Sequence, residues 1–227
     1  MSPSLPAALL FDLDGTLTET DALHLRAYNQ VLAGFDRTID EATYQQRVMG
    51  FPNSEILLWM FPDLPVTEHV RLADQKEAAF RAIVGDLSPA PGLLALLDWA
   101  DANAIPCCVV TNAVRANAEL MLRGLGLTER FRSIVIGEDL AYGKPHPLPY
   151  LTGLQHLGAD PGYSVAFEDS LSGLRAAVAA GIACVGVTTS LSSQALTAAG
   201  ASLTARDFTE APLLRFIADT CLGRGTG

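Results

Sequence analysis

The 227-residue sequence predicts an α/β protein: a doubly wound parallel sheet with an inserted α-helical domain. Three observations predict it. Short apolar runs alternate with helix-like segments, several of which stop at glycine. A long stretch of helical periodicity interrupts that alternation after the first run. Carboxylate, hydroxyl and lysine groups follow successive apolar runs instead of scattering along the chain.

The runs that read as buried strands are 7–11, 105–110, 133–136, 163–167 and 182–187. Helix-like segments at 92–103, 114–125, 147–157 and 171–180 lie between the later ones, and Gly158 and Gly181 stand where helices end. Residues 19–86 form the insert. Leu23, Ala27, Tyr28, Val31, Leu32 and Phe35 recur at helical spacing, Thr38 to Glu41 has capping-box form, and Val70, Ala73, Phe80 and Val84 fit a further helix. Residues 86–92, rich in Pro, Ser and Gly, read as the return linker. Domain boundaries are therefore expected at 1–18 and 87–227 for the sheet domain and 19–86 for the insert. The terminal Gly223 to Gly227 are expected to fray.

Composition excludes several classes. With 15 Lys+Arg against 25 Asp+Glu the net charge is −10, and no basic run exists to attract nucleic acid or an anionic membrane. No apolar stretch reaches the ~18 residues of a membrane span, and Met1 to Pro6 lack the positive region of a signal peptide. Four irregularly spaced cysteines suit free thiols in a reducing cytoplasm, with Cys107, Cys108 and Cys184 as small core residues. A monomer or small homo-oligomer is expected. Only Lys76 and Lys144 are lysines and the other thirteen basic residues are arginines, which marks both as places needing a compact ammonium.

In a parallel sheet all strands point one way, so the groups that follow them meet at one edge, where ligands of open α/β sheets bind. Asp12, Asp14 and Thr16 follow 7–11; Thr111 and Asn112 follow 105–110; Lys144 lies after 133–136; Glu168, Asp169 and Ser170 follow 163–167. Four crowded carboxylates repel one another unless a cation intervenes, and hard oxygen ligands suit Mg²⁺. With a lysine and a hydroxyl, such a site can receive a phosphoryl group. Signalling receiver modules share these ingredients, but they are about half this length and have no helical insert.

The segments Asp12-Leu-Asp14-Gly-Thr16-Leu17, Thr111-Asn112, Lys144-Pro145 and Glu168-Asp169-Ser170 resemble the four signature motifs of the haloacid dehalogenase-like superfamily, which has a Rossmann-like core. The insert resembles the helical cap of its phosphoglycolate phosphatase, sugar-phosphate phosphatase and β-phosphoglucomutase subgroup. The resemblance implies that Asp12 is the nucleophile forming an aspartyl-phosphate, and that Asp14 is the general acid and base. It implies that Thr111, with Asn112, binds phosphoryl oxygens and that Lys144 neutralises charge. Mg²⁺ would sit among Asp12, the backbone carbonyl of Asp14 and Asp169, with Glu168 as ligand or anchor.

Asp14 argues against dehalogenation, because a halide needs no acid. Hydrolysis of a small phosphate monoester is then expected, of sugar-phosphate or phosphoglycolate type. The alternative is a β-phosphoglucomutase-type mutase, which Thr20 and His24 resemble. The mutases carry Lys before Gly50 and Arg shortly after it, where this chain has Met49 and Asn53. Thr16, Asn112, His24, Gly50, Asn53 and Arg115 are the candidate substrate contacts. Asn53 is equally suited to cap a helix at 54–61, Arg115 to face solvent, and Met49 and Phe51 to pack against the core. Linkers at 17–20 and 86–92 are the expected hinges of a cap that opens and closes.

Overall fold

A computed structural model of the protein describes residues 6–223. The first five residues and 224–227, most of the expected frayed end, lie outside the described residues. Six parallel strands form one sheet: β1 (Leu9–Phe11), β2 (Cys107–Thr111), β3 (Ser133–Ile136), β4 (Val165–Glu168), β5 (Ala183–Val187) and β6 (Leu203–Ala205), in the order β3-β2-β1-β4-β5-β6.

Both faces of the sheet are covered, which is why its strands read as unbroken apolar runs. Leu9 and Phe11 of β1 face one core, shared with helices α5 (Leu93–Ala102), α6 (Arg115–Gly124) and α10 (Ala211–Leu222). Ala8 and Leu10 face the other, shared with α7 (Leu148–Leu157) and α8 (Leu171–Ala179). Phe11 stacks on Phe167 of the neighbouring strand at 4.6 Å between ring centroids, worth about 0.5–1.5 kcal/mol beyond area burial. Cys107, Cys108 and Cys184 are buried free thiols in these cores.

Between β1 and α5 the chain forms α1 (Asp21–Leu32), α2 (Glu41–Arg47), α3 (Asn53–Met60) and α4 (Val66–Ile83). These helices bury an apolar cluster of their own, including Tyr28, Leu32, Tyr44, Val48, Met49, Ile56 and Leu72. Met49 packs within this cluster and also lines the cavity at the sheet edge. The linkers on either side of the insert are bonded to each other: Thr18 Oγ1 donates to the carbonyl of Ser88 at 2.9 Å, and the Ala90 amide donates to the carbonyl of Leu17 at 2.8 Å. None of the described helices is long and apolar enough to cross a membrane.

Three details depart from the sequence reading. Helix α2 is capped by Asp40, whose carboxylate accepts from the Thr43 amide at 2.8 Å. The helix therefore starts at Glu41, and Thr38 lies outside it; Asp is as good an N-cap as Thr and stands closer to the apolar positions. The edge strand β6, which follows the short helix α9 (Ser193–Ala198), escaped detection because three residues, two of them half-buried, give no usable period. After it comes α10, whose start at Ala211 follows a polar, turn-rich stretch.

Candidate active site

Strand order reverses between β1 and β4, the switch point where a doubly wound sheet opens a crevice at its carboxyl edge. Asp12 leaves β1 there, and Glu168 and Asp169 leave β4 beside it. Their ligand-capable oxygens all lie within 4.8 Å of one another, and all three residues are buried. Gly15, at φ +72°, lets the backbone pass so close to Asp169 that a Cβ would stand 2.0 Å from its Oδ2.

Lys144 binds this cluster together. Its Nζ, almost wholly buried, donates to Asp12 Oδ1 and to Glu168 Oε1, both at 2.6 Å. Burial disfavours the ammonium, but the two carboxylates outweigh it and raise the pKa of Lys144. Glu168 also accepts from Tyr150 Oη at 2.6 Å and from Ser170 Oγ at 3.2 Å, and its carboxylate presses on the backbone at Gly173. Glu168 is thereby held rigidly as an anchor. Burial, reinforced by Glu168 and opposed by Lys144, pushes Asp12 up to about 8. Burial, then Asp21, Asp12 and Glu168, raises Asp169 well above the carboxylate range.

These residues fit a divalent cation. With all three ionised, the buried carboxylates exceed the one ammonium by two negative charges that a cation would offset, and Asp169 Oδ2 is buried without a hydrogen-bond partner. The donor set is all oxygen, as a hard cation requires. The carboxylate of Asp14 lies outside this group, because it turns toward the insert.

There Asp14 Oδ1 accepts from Thr20 Oγ1 at 2.6 Å and meets His24 Nε2 at 2.9 Å. His24 Nδ1 in turn faces Lys76 Nζ at 2.9 Å. An ammonium only donates, so Nδ1 accepts, and the ring proton sits on Nε2 and points at Asp14. Burial raises the pKa of Asp14, but His24, Thr20 and Lys76 prevail and hold it below the ordinary value. His24 is fixed in plane by stacking on Phe80 at 4.0 Å.

The chain of contacts continues across the insert. Lys76 Nζ donates to Glu77 Oε1 at 2.9 Å and lies 4.8 Å from the centre of the Tyr28 ring. Glu77 also accepts from Asn53 Nδ2 and Asn117 Nδ2, both at 2.6 Å, and Asn53 Oδ1 accepts from Tyr28 Oη at 2.7 Å. Asn53 is therefore the first residue of α3 with its side chain turned into the cavity, and Pro52 occupies the N-cap position. The cavity between insert and sheet edge, about 70 Å³, is lined by Asp12, Asp14, His24, Asn53, Thr111 and Lys144 among others.

Other sequence candidates divide. Thr111 lines the cavity and its Oγ1 accepts from the Ala113 amide at 2.9 Å. Asn112 lines it too, but its side chain ties loops together, bonding both the amide and the carbonyl of Lys144 and the carbonyl of Gly50 at 3.0 Å each. Gly50 stands at φ +77°, where a Cβ would approach Ser170 Oγ to 2.5 Å. Two candidates are not brought to the cavity. Thr16 is fully buried outside its lining, and its hydroxyl has no partner. The half-exposed Arg115 pairs with Asp139 and with Glu119, because acidic neighbours on the surface offer it partners that require no burial.

Sequence reasoning missed Lys76 as a site residue, together with Glu77, Tyr28, Asn117 and Tyr150. One signal was available: the chain has only two lysines, and the structure buries both at this cavity.

Comparison with known proteins agrees with the architecture. The family model described as haloacid dehalogenase-like hydrolase matches residues 9–187. A phosphorylated carbohydrates phosphatase of Thermotoga maritima is 33% identical over 201 residues, covering 86% of this chain and 91% of its own. A phosphoglycolate phosphatase of Xylella fastidiosa is 33% identical over 182 residues, 80% of each chain. The crystal structure of a CbbY variant of Rhodobacter sphaeroides in complex with xylulose 1,5-bisphosphate superposes with a TM-score of 0.79 at 30% identity, covering 91% of this chain and 96% of that one. With motifs, strand order and a family match over most of its length in agreement, the chain belongs to the haloacid dehalogenase-like hydrolases.

Proposed function

We propose that the protein is a Mg²⁺-dependent phosphatase of a small phosphorylated metabolite, with residues 19–86 acting as a cap over a core formed by 1–18 and 87–227. The observation that carries this reading is the buried set of Asp12, Asp169, Glu168 and Lys144 at the switch point, with Asp14 two residues beyond Asp12. The names of relatives that act on phosphorylated carbohydrates and phosphoglycolate support the substrate class. The acidic balance of the chain supports a protein without nucleic-acid or membrane partners; its buried free thiols support a cytoplasmic one, and a monomer or small homo-oligomer completes the reading.

Asp12, the backbone carbonyl of Asp14 and Asp169 would hold the Mg²⁺, with Glu168 behind them. When bound, the ion neutralises charge between an anionic nucleophile and an anionic phosphoryl group. Asp12 attacks phosphorus, the bond from phosphorus to the leaving oxygen breaks, and an aspartyl-phosphate forms. Lys144 shares the developing charge with Thr111 and nearby amides. The leaving oxygen takes its proton from Asp14, which then removes a proton from the attacking water; the water oxygen displaces Asp12 from phosphorus and releases phosphate. In the observed geometry Thr20 and His24 both donate to Asp14, which favours the base form needed for the second step. Loading the proton for the first step requires Asp14 to leave one of those donors.

Replacing Asp12 with Asn should abolish Mg²⁺-dependent phosphate release from p-nitrophenyl phosphate while the protein stays folded by circular dichroism. Undiminished release from the variant would overturn the assignment. Chelation should silence the wild type, and added Mg²⁺ should restore it.

A further inference from the structure

The cap side of the cavity bears on which leaving groups can enter. Among the described residues Lys76 is the one cation that the cap contributes to the lining, and it is already fully engaged. Its ammonium has three N–H bonds, which meet three partners: His24 Nδ1 at 2.9 Å, Glu77 Oε1 at 2.9 Å and the face of Tyr28 at 4.8 Å. Glu77 is fixed opposite it by Asn53 and by Asn117 of the core helix α6, each donating at 2.6 Å. The charge of Lys76 is therefore spent inside the protein.

Among the described residues no arginine lines the cavity. Arg115 pairs with Asp139 and Glu119 at the surface, and Arg47 lies over the Trp59 ring at 5.8 Å. The acids in the lining are Asp12, Asp14, Asp21, Glu77 and Asp169, against Lys76 and Lys144. Lys144 belongs to the transferred phosphoryl group. A second anion on the substrate would thus meet Glu77, Asp14 and Asp21 with no free cation to receive it, and uncompensated like charges are costly in a buried site. Hydroxyl groups fare differently. The Asn53 amide, the Tyr28 hydroxyl and the Glu77 carboxylate can all exchange hydrogen bonds with a polyol.

We propose that the substrate is a phosphate monoester whose leaving group is neutral and hydroxylated, and that Glu77, by neutralising Lys76, sets the enzyme against substrates carrying a second phosphate or a carboxylate. The proposal rests on the phosphatase reading above and narrows it, since phosphoglycolate and sugar bisphosphates fall outside the favoured class.

The experiment uses Mg²⁺-dependent hydrolysis of p-nitrophenyl phosphate as the reporter. Glucose 1-phosphate, glucose 6-phosphate, glucose 1,6-bisphosphate and phosphoglycolate are added as competitors, for wild type and Glu77→Gln. In the wild type the better glucose monophosphate should compete at a concentration about tenfold or more below either compound that carries a second anionic group, the factor expected for one charge-assisted hydrogen bond. In Glu77→Gln, Lys76 is released to bind anions, so the preference should narrow or reverse by about the same factor through tighter binding of the bisphosphate and phosphoglycolate. Equal or better competition by the bisphosphate or phosphoglycolate in the wild type overturns the proposal, and needs no variant. A parallel weakening of all four competitors in Glu77→Gln shows that Glu77 only supports the fold, and overturns its assigned role. No hydrolysis of the reporter by the wild type defeats the phosphatase reading itself, and the selectivity claim with it.

Discussion

Lys76 Nζ lies 2.9 Å from Nδ1 of His24, although 52 residues separate them and only the packing of α4 against α1 brings them together. The contact selects the ring tautomer that points a proton at Asp14, so the insert acts on the proposed acid and base through one imidazole. Long-range ¹H–¹⁵N spectra at neutral pH should show His24 protonated on Nε2 with Nδ1 as acceptor. In Lys76→Met that preference should disappear and kcat should fall by about 10–100-fold, near the lower end of general acid–base contributions. An Nδ1–H tautomer in the wild type would contradict the arrangement.

Glu168 sits in a cradle shaped by Gly173, where an added Cβ would come within 2.0 Å of its carboxyl group. Gly173→Ala should therefore displace Glu168 and loosen Lys144, with a stability loss of about 1–3 kcal/mol from overpacking. Tyr150→Phe tests the same anchor from the other side, removing one donor to a buried carboxylate at a cost of about 1.5–3 kcal/mol. Urea unfolding measures both, and a change within error for both would mean that Glu168 is not anchored as described.

Gly50 joins the insert to the sheet edge. Its carbonyl accepts from Asn112 and its Cα packs on Ser170, at a positive φ that suits glycine. Gly50→Ala should push the insert away from the sheet edge and lower kcat/KM about tenfold or more, because the proposed catalytic groups would no longer be held in register. Alanine is also strained at that φ, so the stability should fall by about 1–2 kcal/mol, and the kinetics are compared at a temperature where the variant stays folded. Wild-type kinetics in the variant would remove Gly50 from that role.

Burial tends to raise the pKa of Glu77, but Lys76, Asn53 and His24 outweigh it and hold the carboxyl below its ordinary 4.5. The groups facing it are Lys76 and His24, the amides of Asn53 and Asn117, and the Tyr28 phenol; Glu77 helps to raise the pKa of that phenol. A depressed carboxyl stabilises the fold fully above its unfolded value, and the contribution is lost as pH falls through the folded value. Wild type should therefore lose stability below about pH 4.5 more steeply than Glu77→Gln. Chemical denaturation between neutrality and pH 3.5 tests this, and parallel curves for the two proteins would contradict it.

Much of the proposed catalytic edge was legible in the linear order of residues. Asp12, Thr111, Lys144, Glu168 and Asp169 each follow a strand-like run, and a parallel sheet sends the ends of all its strands to one side. The positions of their side chains follow from that connectivity with little freedom. Cap chemistry was less legible, because helical periodicity reports which residues face an apolar neighbour but not which polar groups meet across helices. Asn53 could equally have capped α3, and Arg115 could equally have reached the cavity. Each was decided by partners far away in the chain: Tyr28 and Glu77 for Asn53, Asp139 for Arg115.

The sequence by itself determined the parallel α/β core, the helical insert and the acidic edge, since these depend on local apolar runs and on the order in which they occur. Tertiary structure alone decided that both lysines belong to one cavity, that Asp14 turns to His24 instead of joining the acidic cluster, and that Glu77 takes up the charge of Lys76. Those outcomes come from hydrogen bonds and ion pairs between helices α1, α3, α4 and α6. Such bonds act over about 3 Å and depend on orientation, so the spacing of residues along a chain does not encode them.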